Sequence, residues 1–324
     1  VSSRKDALPE FGDVVAAAAR LSPHVVRTPV MRSAAFDARV GAQVFFKCEN
    51  LQTGGAFKYR GAMNVLLQLD PTRTPLVVTH SSGNHGNALA LAARSRGMRA
   101  IVVVPRDSAR SKIANIEAAG ARVELCEPGL PAREKRLAEI LAAEPGELVH
   151  PFDDSRIIAG QGTAAFEMLA ELPTLEVIGT PVGGGGLIGG TALAAKGTVP
   201  RIRVIGAEPE QADDAFQSFR SGERRAVVAP RTIADGLRGS IGVLNFELLR
   251  RLVDDVVTVS EAQIVDAMRI VLSDFKLLIE PSSAVVVAAV LAGKLGRAGE
   301  RIGLVISGGN LDLDVCPFLR GERL

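Results

Sequence analysis

Short apolar runs and helical periodicities alternate along most of this chain. A helical pattern over Phe11–Leu21 is followed by an extended segment at Arg27-Thr28-Pro29-Val30, where the residue before proline is held out of the α region, and then by the strand Val44–Phe46. Apolar runs at Leu76–Thr79, Ile101–Val104, Val123–Cys126 and Leu148–Val149 read as strands. Between them stand helical patterns at Gly86–Arg96, Ser111–Ala119 and Ala132–Ala143, the rhythm of β-α-β units on a parallel sheet. A second series repeats it: helix Ala159–Leu172, strand Val177–Pro181, helix Leu187–Lys196, strand Ile202–Ala207, helices Glu261–Leu272 and Ser282–Leu291, and strand Ile302–Ile306. Two α/β domains are the economical expectation. Arg220–Ser240, rich in charge, Gly and Pro, has no period and reads as a functional loop.

Composition narrows the ligand. A chain of 324 residues, 47% hydrophobic and 23% charged, has the make-up of a globular protein with room for two cores. Its net charge of +2 sets up no field that would attract nucleic acid or an anionic membrane, so a small molecule is the expected partner. The three cysteines, Cys48, Cys126 and Cys316, are odd in number and form no CxxC pair. That argues against a disulfide framework or a zinc site and for a reducing compartment, the cytoplasm by default. No long uncharged apolar run occurs, and Val1–Asp6 lacks the apolar core of a signal peptide, so no membrane span or anchor is expected.

Candidate chemistry gathers at strand ends. Lys58, in Glu49-Asn50-Leu51-Gln52-Thr53-Gly54-Gly55-Ala56-Phe57-Lys58-Tyr59-Arg60-Gly61, follows a Gly-rich turn and stands beside Phe57. Partial desolvation there lowers the pKa of the amine and suits it to Schiff-base chemistry. Three later strands run directly into glycine, at Ser81–Gly86, Gly183–Gly186 and Ser307–Asn310. Ligands of open α/β sheets bind at the carboxyl ends of strands, so the three turns are expected to face one cleft. Gly183, Gly184, Gly185 and Gly186 precede a helix and suit a phosphate, because amides without flanking Cβ atoms converge on an anion there. The spacing fits neither a nucleoside triphosphate loop nor a dinucleotide fingerprint. Ser81, Ser82, Asn84 and His85 crowd donors and acceptors suited to a carboxylate and a ring hydroxyl, and Ser307 has a hydroxyl that can either bond a heterocyclic nitrogen or simply serve its turn.

In order and spacing these motifs resemble the fold-type II pyridoxal-phosphate enzymes, in the serine racemase and serine/threonine dehydratase branch. The likeness runs from Arg27-Thr28-Pro29 to Asn310 and includes Thr232-Ile233-Ala234-Asp235-Gly236 and Ile279-Glu280-Pro281. It implies two open, twisted parallel-sheet domains of the tryptophan synthase β-like kind, with the cofactor in the cleft between them. Residues 1–75 and 151–324 would form the large cofactor-binding domain and 76–150 a small mobile one. The resemblance makes Lys58 the Schiff-base lysine and the base on one face of Cα. Phe57 flanks the ring, Asn84 bonds its hydroxyl, Gly183–Gly186 hold the phosphate, and Ser307 meets the pyridine nitrogen. A neutral hydroxyl at that nitrogen leaves the ring a weak electron sink, which favours β-elimination. Ser82 matches the acid/base that serine racemases place opposite the lysine. Ser81, Ser82, Asn84 and His85 would contact substrate, with Arg133 and Ser240 at positions that meet a diacid inhibitor or a substrate side chain. The loop Glu208-Pro209-Glu210-Gln211-Ala212-Asp213-Asp214 matches a divalent-cation site built from the carboxylates of Glu208 and Asp214 and the carbonyl of Ala212. Oxygen ligands suit Mg²⁺ or Ca²⁺, with Mn²⁺ as a third option.

Gly54, where the family usually has threonine, and Asn87, where glutamine is common, depart from the pattern and bear on substrate fit. The expected activity is conversion of a β-hydroxy amino acid to a 2-oxo acid and ammonia, with racemisation as a companion. Serine comes first as substrate, then threonine and 3-hydroxyaspartate. A homodimer is expected, and no feedback through a C-terminal regulatory domain. A β-replacement synthase of the cysteine-synthase kind is the enzyme alternative. A non-catalytic phosphate-ligand or amino-acid sensor is the alternative outside enzymes.

Overall fold

Strands buried along their whole length need cover on both faces, and that demand organises this chain. A computed structural model describes residues 6–81, 83–108, 110–313 and 316. Helix α1 (Phe11–Leu21), strand β1 (Val30–Arg32), helix α2 (Ala34–Val40) and strand β2 (Gln43–Cys48) come first. Two single 3₁₀ turns then lead into α3 (Lys58–Leu66). Next follow β3 (Leu76–His80), α4 (Asn84–Ser95), β4 (Arg99–Pro105), α5 (Arg110–Ala118), β5 (Arg122–Cys126), α6 (Leu130–Ala143) and β6 (Glu147–Leu148). The last stretch holds α7 (Ser155–Glu171), β7 (Val177–Pro181), α8 (Gly186–Thr198), β8 (Arg203–Pro209), α9 (Asp214–Ser221) and α10 (Val243–Leu252). Strand β9 (Asp255–Val259), helices α11 (Glu261–Phe275) and α12 (Pro281–Leu291) and strand β10 (Arg301–Ile306) complete it.

The strands form a six-stranded sheet of order β1-β2-β10-β7-β8-β9 and a four-stranded sheet of order β5-β4-β3-β6. All pairings are parallel except β1 with β2. Strand β10 lies between β2 and β7, with Ile306 opposite Cys48 and Leu304 opposite Gly179. This strand order sets the turn after β10 beside both the Lys58 loop and the tetraglycine turn. Ser81 follows β3 in the other sheet, also at a carboxyl edge.

One face of the large sheet packs on α11 and α12 around stacked Phe46 and Phe275, whose ring centroids are 4.1 Å apart. Its other face packs on α7, α8 and α10. Each fully buried Leu, Ile, Val, Phe or Met in these layers contributes about 1.5–3 kcal/mol.

The expected strands and helices are present to within a few residues, and α2, α9, α10 and β9 are additions. The two helices after β8 are capped from outside their own sequence. The Glu208 carboxylate accepts from Ala215 and Phe216 amides at the start of α9, and Asp153 accepts from Val243 and Leu244 amides at the start of α10. Such a cap leaves no local signal, whereas the usual N-cap is the neighbouring residue. Helix α2 buries only Phe36 fully and is too short to show a period. Strand β9 is an edge strand of five residues.

Candidate active site

Lys58 opens α3, where the chain leaves β2 through turns that hold Gly54 and Gly55 in the left-handed region. Two contacts dock this loop on the turn after β10: the Phe57 amide donates to the Ser307 carbonyl at 2.9 Å, and Ala56 pairs with Gly308 as a β-bridge. The Lys58 Nζ donates to the Pro151 carbonyl at 2.8 Å and lies 5.2 Å from the centre of the Phe57 ring. The side chain keeps part of its surface open, but its amine is closely surrounded by protein. Burial pushes the pKa down to about 8, against the opposing pull of Glu280.

The tetraglycine turn has the shape of an anion cradle. Gly185 has φ +88°, and a Cβ on Gly184 would come within 2.3 Å of the Phe152 ring. Asn245 Nδ2 and the Gly242 amide both donate to the Gly184 carbonyl, at 2.8 and 3.1 Å, which fixes the orientation of that peptide. Among the described residues the amides of Gly183, Gly184 and Gly185 donate to no acceptor, and helix α8 starts immediately behind them. Unpaired amides at a helix N-terminus fit a phosphate.

Ser307 is buried, with its Oγ 2.9 Å from Ser283 Oγ. Asn84 Nδ2 donates to both oxygens of Glu280, at 2.9 and 3.0 Å, while Asn310 Nδ2 donates to Asn84 Oδ1 and to the Gly54 carbonyl. Burial raises the Glu280 pKa, favouring its protonated form, and the Asn84 hydrogen bond opposes this. The predicted turns therefore meet, joined through Asn310 and a carboxyl that the sequence flagged only as part of a motif.

The four-stranded sheet supplies the opposite wall. Ser81 Oγ accepts from the Gly83 amide at 3.3 Å. Ser82 lies outside the described residues. His85 Nε2 is 3.4 Å from the Val149 carbonyl, which leaves Nδ1 a buried acceptor without a partner. Burial holds His85 well below the ordinary imidazole range and pushes His80 down to about 4, so both rings are neutral at neutral pH. Arg133 turns inward from α6, and its Nε is buried with no partner. Ser240 Oγ, by contrast, accepts from the Val227 amide at 3.0 Å.

At the end of β8, Glu208, Ala212 and Asp214 are all buried. Asp214 Oδ2 accepts from the Ile241 amide at 2.7 Å, and its Oδ1 has no partner. Burial raises Asp214 to about 6, and burial together with the Asp214 charge holds Glu208 well above the usual carboxylate range. Two buried, mutually repelling carboxyls with an orphaned oxygen fit an oxygen-bound divalent cation.

Pro151, Phe152 and Asn245 are site residues that the sequence did not reveal, and Asn310 was seen only as the end of its turn. The first acts through a backbone carbonyl and the second by filling the space under a glycine. Neither role leaves a mark on residue type.

A low-pKa lysine facing an anion cradle across the carboxyl edges of parallel strands defines a fold-type II pyridoxal-phosphate enzyme. The chain belongs to the pyridoxal-phosphate dependent enzyme family, whose model matches residues 21–308. It is 43% identical over 312 residues to a β-hydroxyaspartate dehydratase of Paracoccus denitrificans, covering 96% of this chain and 99% of that one. To a serine racemase of Arabidopsis thaliana it is 45% identical, covering 91% of each chain. The solved structure of maize serine racemase superposes with a TM-score of 0.92 at 42% identity, covering 95% of each chain. Among the described residues no helix is long and apolar enough to cross a membrane.

Proposed function

We propose that this chain eliminates the β-hydroxyl of a β-hydroxy amino acid, giving a 2-oxo acid and ammonia, and racemises the same class of substrate. The observation that carries this reading is that the adjacent residues Pro151 and Phe152 join the desolvated Lys58 amine to the glycine turn, the first through its carbonyl and the second by its ring under Gly184. Pyridoxal phosphate bound there supplies an electron sink for the charge left when the Cα proton is removed. Lys58 bears the cofactor and serves as base on one face, and lowering its pKa to about 8 makes far more of the neutral amine available near neutral pH than an ordinary lysine offers. Gly183–Gly186 take the phosphate, Phe57 flanks the ring, and Asn84 meets its hydroxyl. Ser307, whose Oγ shares a 2.9 Å hydrogen bond with Ser283 Oγ, meets the pyridine nitrogen, an assignment that rests on the sequence resemblance. Ser81, Asn84 and His85 receive the substrate, and Ser82 acts on the opposite face of Cα, an assignment that rests on the sequence resemblance. Ser240 stands where a substrate side chain is met, again by the sequence resemblance.

Glu208, Ala212 and Asp214 hold Mg²⁺, Ca²⁺ or Mn²⁺. Residues 76–150 form a small domain that moves against residues 1–75 and 151–324. Their sheet is separate, and side-chain links such as Asn84–Glu280 and Lys112–Asp235 span the cleft. The working form is a homodimer, a reading supported by the exposed apolar residues Val26, Leu51 and Leu278 around the Lys58 loop. Free, buried thiols are in keeping with the cytoplasm.

A second reading concerns the substrate side chain. The buried Arg133 Nε, without a partner among the described residues, favours 3-hydroxyaspartate over serine, because a half-buried guanidinium with an unanswered donor gains most from a carboxylate. Incubation with L- and D-serine, threonine and 3-hydroxyaspartate, following oxo acid, ammonia and enantiomer composition, tests both readings. Oxo acid from at least one substrate is expected. None from any would sink the lyase assignment.

A further inference from the structure

The loop that presents Lys58 is docked at its tip on the turn after β10, and its base needs a hold of its own. It contains two left-handed glycines, and α3 has no side-chain cap at Phe57. Two residues beyond the lysine, however, the wholly buried Arg60 is saturated with partners. Its Nε and Nη2 donate to Glu49 at 2.7 and 2.8 Å, and its Nη1 and Nη2 donate to Glu167 at 2.7 and 2.9 Å. Nη1 also reaches Thr163 Oγ1 at 3.2 Å. Lys47 donates to Glu167 at 2.7 Å, so two cations and two anions balance. Glu49 stands where the loop leaves β2, and Arg60 lies in the first turn of α3, so this bridge closes the loop at its base.

Glu167 belongs to α7, the helix that starts just after Pro151, whose carbonyl holds Lys58 Nζ. Helices α3 and α7 meet at Gly61 and Gly160, where a Cβ on Gly160 would come within 2.7 Å of Gly61 Cα. The close contact fixes their separation, and the Arg60–Glu167 bridge fixes their register. Buried ion pairs add little net stability over apolar packing, since several charges must be desolvated. What planar, bidentate pairs do supply is geometry.

We infer that Arg60, bridged to Glu49 and Glu167, is the positioning residue that holds the Lys58 amine against the Pro151 carbonyl and in line with the reacting Cα. The inference rests on the reading of Lys58 as the cofactor-bearing base. Lysine in place of Arg60 keeps the charge but has one nitrogen, which cannot bridge both carboxylates in a plane.

The test compares holoenzymes of the wild type, Arg60→Lys and Glu167→Gln. It follows kcat, KM, the pH titration of the visible band of the lysine-bound cofactor, cofactor retention on dialysis, and Tm. Expected are a kcat lower by about 10–100-fold with KM within about threefold. A shifted titration of the visible band and faster cofactor loss accompany it. Variants that only melt earlier, with wild-type kcat per bound cofactor and an unmoved titration, would overturn the inference and leave the cluster a plain structural staple. Should Arg60→Lys fail to fold, Glu167→Gln, which alters a partly exposed member, decides by the same readouts. Absence of a borohydride-fixed cofactor on Lys58 in the wild type is a separate result, and it removes the functional reading together with this one.

Discussion

The two walls of the cleft are built on different terms. On the six-stranded side Arg60 is bridged by two carboxylates, Asn245 Nδ2 fixes the Gly184 peptide, and Ser307 rests on Ser283, while Asn245 Oδ1 and Asp214 Oδ1 are left without a partner among the described residues. On the four-stranded side His85 Nδ1 and Arg133 Nε are buried with nothing to bond. Saturated networks hold one geometry, whereas unpaired buried groups cost about 1–3 kcal/mol each until a ligand satisfies them. On the proposed reading, the Arg60 network organises the lysine side in advance for a permanent cofactor, and the unpaired groups of the four-stranded side await a transient substrate.

The largest test of this contrast is Lys58→Ala, which should lower elimination and racemisation by about 10⁴-fold or more while leaving the circular dichroism spectrum intact. Retained turnover would break the assignment of the first wall. In the wild type, elimination should rise with pH through about 8, as the Lys58 amine loses its proton. A flat profile between about pH 7 and 9 would show that a different group is the base.

By the role the sequence resemblance gives it, Ser82→Ala should suppress racemisation, and elimination of the D-enantiomer, by about 10²–10⁴-fold while sparing elimination of the L-enantiomer. Equal losses for both enantiomers in a paired assay would reassign Ser82 to holding the turn. Arg133→Ala is expected to lower kcat/KM for 3-hydroxyaspartate by about 10–100-fold, the worth of a charged hydrogen bond, and to change serine little. Loss of equal size for both substrates would return Arg133 to a structural role.

The smallest effect concerns the cation loop. Asp214 is raised to about 6 in the folded protein from an ordinary 3.8, so between those values the native state holds a proton that the unfolded chain has released. Without metal, its contribution to stability therefore increases as pH falls through about 6. Mg²⁺ or Ca²⁺ competes with that proton, so the rise in Tm on adding either should amount to a few degrees at pH 8 and shrink toward pH 5. A rise of the same size in Glu208→Gln would place the metal elsewhere.

Much of this architecture was legible in the chain alone. Strands such as Val77–Thr79 and Val177–Pro181, buried on both faces, read as unbroken apolar runs, and glycine marks the turns because few other residues fit them. Lys58, the tetraglycine turn and Ser307 were visible for that reason, each in a local motif whose residue types state its chemistry. The cation loop could be aligned, but the orphaned Asp214 oxygen could not be foreseen.

What the tertiary structure alone decided are relations between distant segments. Asp153 caps α10 from about ninety residues away, Pro151 offers a carbonyl to Lys58, and Glu167 on α7 meets Arg60 on α3. Lys47, Glu49, Arg60 and Glu167 are ordinary charged residues by type, and in sequence nothing separates them from solvated ones. Their role comes from burial, which removes water as a competing partner and leaves each charge to be answered by another segment of the chain.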